Sequence, residues 1–143
     1  MTTLNIYLER ISHNLKFLRS KISPKVELIA VVKANAYGHG AIKVSKHLNS
    51  LGVKKLAVAS SNEGKILRES GVKSNIIVFY PDPFDLTDII KYNLEPAVYS
   101  KKIWQNLSFS LKKQKLNNFS IHLKFNTGLN RLGFDFKEIS WVK

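Results

Sequence analysis

Val31-Val32-Lys33-Ala34-Asn35-Ala36-Tyr37-Gly38-His39-Gly40 closes an apolar run, residues 26–32, that only Glu27 interrupts. A run apolar on both faces predicts a strand buried on both sides, as in a parallel sheet. Lys33 stands where the run ends, and Gly38 and Gly40 loosen the chain before a helical pattern begins. A lysine at the carboxyl end of a buried strand, beside a glycine turn, is where α/β enzymes put reactive groups.

Strands and helices alternate outward from this stretch. Upstream, residues 1–7 form a short lead-in. Leu8, Ile11, Leu15 and Leu18 then recur at helical spacing, with Arg10, Lys16 and Arg19 toward water, until Ser23-Pro24 stops the pattern. Downstream, Ala41, Ser45 and Leu48 share one face of a helix over 41–51, with Gly52 just past its end. Residues 54–60 read as a second strand. Ser60 and Glu63 have capping-box spacing, opening a helix that closes near Gly71. Residues 75–80 form a third strand. Asp82 then reads as an N-cap with Pro83 at the first helical position, ahead of Leu86, Ile89 and Ile90. A short strand over 94–99, interrupted by Pro96, precedes a helix capped by Ser100 with Ile103, Leu107 and Leu111 inward. In 120–125 the alternation is clean: Ile121, Leu123 and Phe125 on one face, His122 and Lys124 on the other. Residues 135–143 begin another helix-like segment.

A strand–helix repeat of roughly 20–30 residues is the pattern of a (β/α) barrel. A closed TIM-type barrel needs eight strands in about 250 residues. The 143 residues hold five. The fold class is therefore α/β, an incomplete TIM-type barrel comprising the first five strands with their helices, on one domain over residues 1–143. An open, doubly wound five-stranded sheet is the alternative that length favours.

Composition narrows the function classes. The chain is 44% hydrophobic and has no cysteine, so disulfides and thiolate metal sites are excluded. Neither His39 nor His122 has a partner at ligand spacing in its own element, so no metal is expected. No stretch approaches the roughly 20 apolar residues of a membrane span, and residues 1–20 lack the apolar core of a signal peptide. A cytoplasmic location is the default expectation. The net charge of +13 raises nucleic acid as a partner. Arg10, Arg19, Arg68 and Arg131 are the only arginines, however, and the lysines are scattered rather than clustered. That favours a solvated lysine-rich surface over nucleic-acid binding.

A free lysine, with a pKa near 10.4, holds only about one amine in a few thousand uncharged at neutral pH. Partial burial disfavours the ammonium and frees a nucleophile able to condense with an aldehyde. Pyridoxal phosphate is the commonest cofactor held this way. Beyond that chemistry, the ten residues from Val31 to Gly40 resemble the cofactor-lysine signature of the alanine racemases. The resemblance implies that Lys33 carries pyridoxal phosphate and acts as one of two catalytic bases, and that Tyr37 contacts the cofactor phosphate.

A second string resembles the same family: His122-Leu123-Lys124-Phe125-Asn126-Thr127-Gly128-Leu129-Asn130-Arg131-Leu132-Gly133-Phe134. It implies that Arg131 lies near the cofactor's phenolic oxygen and meets the substrate carboxylate. Lys124 matches a lysine carbamylated in many members. Electrostatics favours that modification independently, since two cations about 4 Å apart repel by roughly 4 kcal/mol at an effective dielectric of 20. Asn126 and Leu129 depart from the family, which usually has aspartate and methionine there.

The resemblance spans essentially the whole chain but only about the first third of a family member. It implies a homodimeric enzyme interconverting L- and D-alanine for peptidoglycan precursors. The family's C-terminal β domain, with its tyrosine base, has no counterpart here. A non-catalytic cofactor-binding barrel is a rival, although its string after the lysine usually differs from residues 34–40. The isolated chain is expected to lack racemase turnover, checked by D/L-alanine exchange with the purified polypeptide and added pyridoxal phosphate.

Overall fold

The computed structural model describes residues 2–84, 86–138 and 140. Five parallel strands form one sheet in the order of the chain: β1 (Ile29–Val31), β2 (Lys55–Val58), β3 (Asn75–Val78), β4 (Glu95–Val98) and β5 (His122–Leu123). Sequential order in one direction, with the right-handed crossovers usual for parallel strands, sends every returning helix to the same face. A doubly wound sheet reverses its order at a switch point. No reversal occurs among the described strands, so the sheet is that of a partial barrel.

Helices α1 (Leu8–Ser20), the short α2 (Lys33–Tyr37), α3 (Ala41–Ser50), α4 (Ser61–Glu69), α5 (Leu86–Lys91) and α6 (Lys101–Lys113) connect and flank these strands. The covered face of the sheet supplies Leu56, Val58, Ile76, Val78 and Val98, each essentially inaccessible. They pack in one cluster with Leu48, Leu67, Ile89, Ile103 and Leu107 from the helices. Burying each such side chain contributes about 1.5–3 kcal/mol.

The other face follows from the register. Ile29, Lys55 and Asn75 make one row, and Val31 pairs with Ala57, which pairs with Ile77, which pairs with Glu95. This face is polar toward the amino ends of the strands. Lys55 meets Glu27 at 2.9 Å, Asn75 donates to Glu95 at 2.6 Å, and His122 Nε2 stands 2.7 Å from the other Glu95 oxygen.

Several expectations need correction. The run over 26–32 yields only three residues of strand, and Ile29 and Val31 are 44% and 39% exposed. Apolar composition predicted burial on both faces, but their side of the sheet carries no helix among the described residues. Helix α1 ends at Ser20, before Ser23-Pro24. Asp82 accepts from the Phe84 amide within a turn that includes Pro83, so the pair does not open α5 (Leu86–Lys91) as expected. Pro96 lies inside β4 without interrupting it. Lys124 donates to the Val98 carbonyl, so residues 96 and 98 both direct their backbone groups to β5. β5 starts at His122, beyond the residue that a donor at position 96 would meet. Over 120–125 only His122 and Leu123 are ladder strand, and the Phe125–Phe134 bridge continues the pairing into a loop. Of the segment 135–143, Phe136–Glu138 is a 3₁₀ turn; Ile139 and residues 141–143 lie outside the described residues.

The capping predictions at Ser60 and Ser100 hold, whereas that at Asp82 does not. Ser60 and Glu63 form a reciprocal capping box on α4, and Ser100 accepts from Ile103 on α6. Arg68 closes the base of the sheet by donating to the carbonyls of Val72, Ser74, Tyr92 and Asn93, at 2.7–3.3 Å. Burial lowers its pKa from the ordinary arginine value, yet a guanidinium stays charged. Arg68→Ala is expected to cost about 2–4 kcal/mol in urea unfolding, because several carbonyls lose a charged donor. Arg68→Lys should recover only part of that, since an ammonium cannot reproduce the planar fork.

Candidate active site

Lys33 and Tyr37 bound α2 (Lys33–Tyr37), immediately after β1. The ladder runs one residue past the strand, where Val32 donates to the Ala57 carbonyl. There the backbone changes hand. Ala34, Asn35 and Ala36 have φ/ψ of 50/50°, 54/43° and 53/47°, and Tyr37 has φ 54°. This is a turn of left-handed helix, with Ala36 donating to Val32 and Gly38 to Ala34. Such residues cost roughly 1–2 kcal/mol each, and only Asn35 is of a type that visits this region readily. The sequence pattern puts the departure from regular structure at Gly38 and Gly40. The turn actually begins at Ala34, and Gly38 closes it with φ 88°.

Three side chains hold the turn. The Glu63 carboxylate accepts from the Ala34 amide at 2.7 Å. Asn35 Oδ1 accepts from the Ala41 amide at 2.8 Å, joining the turn to the start of α3. His39 Nδ1 lies 2.8 Å from the Ala36 carbonyl. Within this frame Lys33 is half-buried, while Tyr37 is 61% exposed.

Lys124 and Arg131 stand at the other edge of the sheet. The Lys124 amide donates to Val98, and its carbonyl accepts from Phe134 at 2.8 Å. Asn126 donates back to the Phe134 carbonyl, so residues 124–134 close on themselves. The Asn126 side chain organises the loop inside. Its Oδ1 accepts from the amides of Gly128 and Asn130, and its Nδ2 donates to Asn130 Oδ1 at 2.9 Å and Asp135 Oδ1 at 3.4 Å. The loop needs an acceptor at this position, which the amide supplies as well as a carboxylate would. The amide also presents a donor to Asp135.

Arg131 is exposed, and its guanidinium lies 5.8 Å from the centre of the Tyr80 ring, in cation–π range. Tyr80 follows β3, so the loop reaches back over the end of β4. Sequence reasoning missed Tyr80 and its neighbour Tyr99, whose hydroxyl donates to the Pro81 carbonyl at 3.4 Å. Burial, reinforced by Asp82, holds the Tyr99 phenol above its usual range. Aromatic residues just past the ends of β3 and β4 were the available signal.

All four predicted residues thus stand at the carboxyl end of the sheet, where (β/α) barrels carry their active sites. Lys33 and Tyr37 lie on the connection after β1, and Lys124 and Arg131 on the stretch after β5, as two sequence-local pairs. The pairs occupy the two edge strands, with β2, β3 and β4 between them. Among the described residues no group of three or more His, Asp or Glu could hold a metal ion, and no helix is long and apolar enough to cross a membrane.

With this geometry in view, residues 6–142 match the family profile described as alanine racemase, N-terminal domain. The chain belongs to the alanine racemase family. It is 38% identical over 135 residues to alanine racemase 1 of Caldanaerobacter subterraneus subsp. tengcongensis, covering 93% of this chain and 34% of that protein. It is 41% identical to the alanine racemase of Methanococcus maripaludis, over 90% of this chain and 35% of the relative. An alanine racemase structure from Clostridium difficile 630, in complex with cycloserine, superposes with a TM-score of 0.89 at 30% identity, over 94% of this chain and 38% of that one. The chain therefore spans about a third of the length of these racemases. The superposition places the five-stranded sheet in the N-terminal barrel of the racemase fold.

The loop that carries Arg131 turns on Gly133. At φ +139° its added Cβ would lie 2.5 Å from the Asn126 nitrogen and 2.6 Å from the Phe125 carbonyl carbon. Gly133→Ala is expected to open the loop while leaving β1–β4 intact. Hydrogen exchange at the Phe134 and Asn126 amides should accelerate by about tenfold or more, the equivalent of one hydrogen bond to a protein acceptor.

Proposed function

We propose that this chain is the N-terminal part of a barrel that binds pyridoxal phosphate and interconverts L- and D-alanine. In this reading residues 1–143 correspond to the front of the barrel, and the second catalytic base and the C-terminal β domain are assigned to none of them. The observation that carries the proposal is Lys33 itself: a half-buried residue at the carboxyl end of β1, leading into a strained turn. Strain of this kind persists where surrounding contacts over-determine it, and it clusters at functional sites.

The residues present suit the cofactor. An amine, a phenol and a guanidinium stand at one end of the sheet, matching an aldehyde, a phosphate and an anionic oxygen in chemical type. When bound, pyridoxal phosphate supplies an electron sink that acidifies the α-hydrogen of an amino acid. Lys33 would hold the cofactor through Nζ and then move a proton at the substrate α-carbon on one face. Tyr37 would donate its phenolic hydrogen to the phosphate. Arg131 would orient the substrate carboxylate through the paired donors of its guanidinium. A carbamate on Lys124 would replace a cation beside Arg131 with an anion and fix the guanidinium in place.

The family match supports alanine as substrate and a homodimer as the assembly. The relatives' names support supply of D-alanine, and peptidoglycan precursors in the cytoplasm are its expected destination. A match to an amino-acid racemase of Enterococcus faecalis, 37% identical over 94% of this chain, makes substrate breadth a point for measurement.

Borohydride reduction in the presence of pyridoxal phosphate, followed by peptide mapping, tests the central claim. A single modified peptide bearing Lys33, absent from Lys33→Ala, is expected; preferential labelling of another lysine would overturn it. Intact mass in bicarbonate should show an acid-labile carbon dioxide adduct on Lys124 that Lys124→Arg lacks.

A further inference from the structure

We propose that Glu63 is a positioning residue for Lys33. Its carboxylate fastens the end of β1 to the end of β2 and so holds the left-handed turn that follows the lysine. The inference deepens the proposed function and rests on Lys33 as the cofactor lysine.

As an N-terminal capping residue Glu63 needs to reach only the backbone of its own helix. Its Oε2 does so, accepting from Ala59 at 2.7 Å and Ser60 at 3.4 Å. Oε1 leaves that element altogether and accepts from Ala34, 29 residues away in the chain, at 2.7 Å. One carboxylate thereby collects backbone donors from two neighbouring strand ends. The Ala34 amide belongs to the first turn of α2, where no intrahelical acceptor exists. It is also bonded directly to the Lys33 carbonyl carbon, so fixing its direction fixes the peptide plane through which the lysine enters the turn.

Local sequence does not favour this conformation. Ala34, Ala36 and Tyr37 gain nothing from the left-handed region that would offset its cost. The far end of the turn is secured by Asn35 and His39, both within the same βα connection. Glu63 secures the near end from the next βα unit. It therefore makes the setting of Lys33 depend on how β2 and α4 pack. A hydrogen bond to an ionised carboxylate is about twice as strong as a neutral one, which suits a contact that opposes strain. Glu63 touches no reacting atom in this scheme and acts through the backbone of Ala34.

The capping and bridging roles separate by mutation. Ser60→Ala removes the hydroxyl that accepts from the Glu63 amide at 3.3 Å and leaves the bridge to Ala34. Glu63→Gln is close to isosteric but offers one oxygen, so its NH₂ must face either Ala34 or Ala59, both of which are donors. The full chain in each form is examined in two ways. Hydrogen exchange at residues 34–40, without cofactor, reads the turn. The rate at which borohydride traps pyridoxal phosphate on Lys33 reads the amine.

Glu63→Gln is expected to speed exchange and slow trapping by about tenfold each, the equivalent of one charge-assisted hydrogen bond. Ser60→Ala should leave both within about twofold of the parent chain, as a lost cap loosens the helix start rather than the lysine turn. Equal behaviour of the two variants in exchange would overturn the positioning role. Failure of the parent chain to trap the cofactor on Lys33 would instead sink the proposed function, while exchange would still judge the bridge.

Discussion

Each strand of the sheet pairs in parallel with the one before it, and this constraint governs the placement of everything else. Parallel neighbours need a crossover, and crossovers of one hand on a sheet growing in one direction stack the helices on a single face. All strand ends of one polarity then lie along one rim. Lys33, Glu63, Tyr80, Ser100 and Lys124 are far apart in sequence, and they share that rim because every strand enters it in the same sense. The opposite ends carry structural closures, chiefly the Arg68 fan of carbonyl contacts, with the exposed ion pair of Lys55 and Glu27 adding little.

At the rim, side-chain acceptors do the work that regular secondary structure does elsewhere. A backbone that leaves a strand loses its ladder partners, and a side-chain acceptor that replaces them fixes the direction of the chain. Glu63 supplies such acceptors at the β1 and β2 ends; Asn126 supplies them inside the loop after β5. Both are short or medium side chains with two useful atoms on one planar group. Each takes more than one backbone amide, and each orders the backbone next to a cation: Ala34 beside Lys33 in one case, Asn130 beside Arg131 in the other. The difference lies in range. Asn126 acts within nine residues, whereas Glu63 joins two βα units.

The uncovered face of the sheet behaves unlike an ordinary surface. Glu95 is only 12% exposed in its side chain and gathers Asn75 and His122 around itself. A carboxylate held between an amide and an imidazole is well solvated by the protein and tolerates low exposure to water. Ile29 and Val31, on the same face but at the β1 edge, remain open. Family membership and the superposition on racemase barrels account for a face that mixes a satisfied polar cluster with bare aliphatic residues, since in a closed barrel this is the interior.

The sequence by itself determined the order and type of the main elements, because hydrophobic period and capping chemistry are local. Ser60 with Glu63, Ser100 with Ile103 and the apolar stripe of α6 are all legible within a few residues. Two contiguous strings were equally legible as the marks of a family. Only the tertiary structure decided how those strings are held. Nothing in Lys33-Ala34-Asn35-Ala36-Tyr37 announces a left-handed turn, since the contact that secures its start comes from Glu63, on another helix. The exposure of Ile29 and Val31 was likewise hidden, because composition reports what a face would bury and not what stands opposite it. Asn126 looked like the loss of a charge until the loop closed around it. A residue's partners are set by the path of the chain, and that path exists only once the sheet has formed.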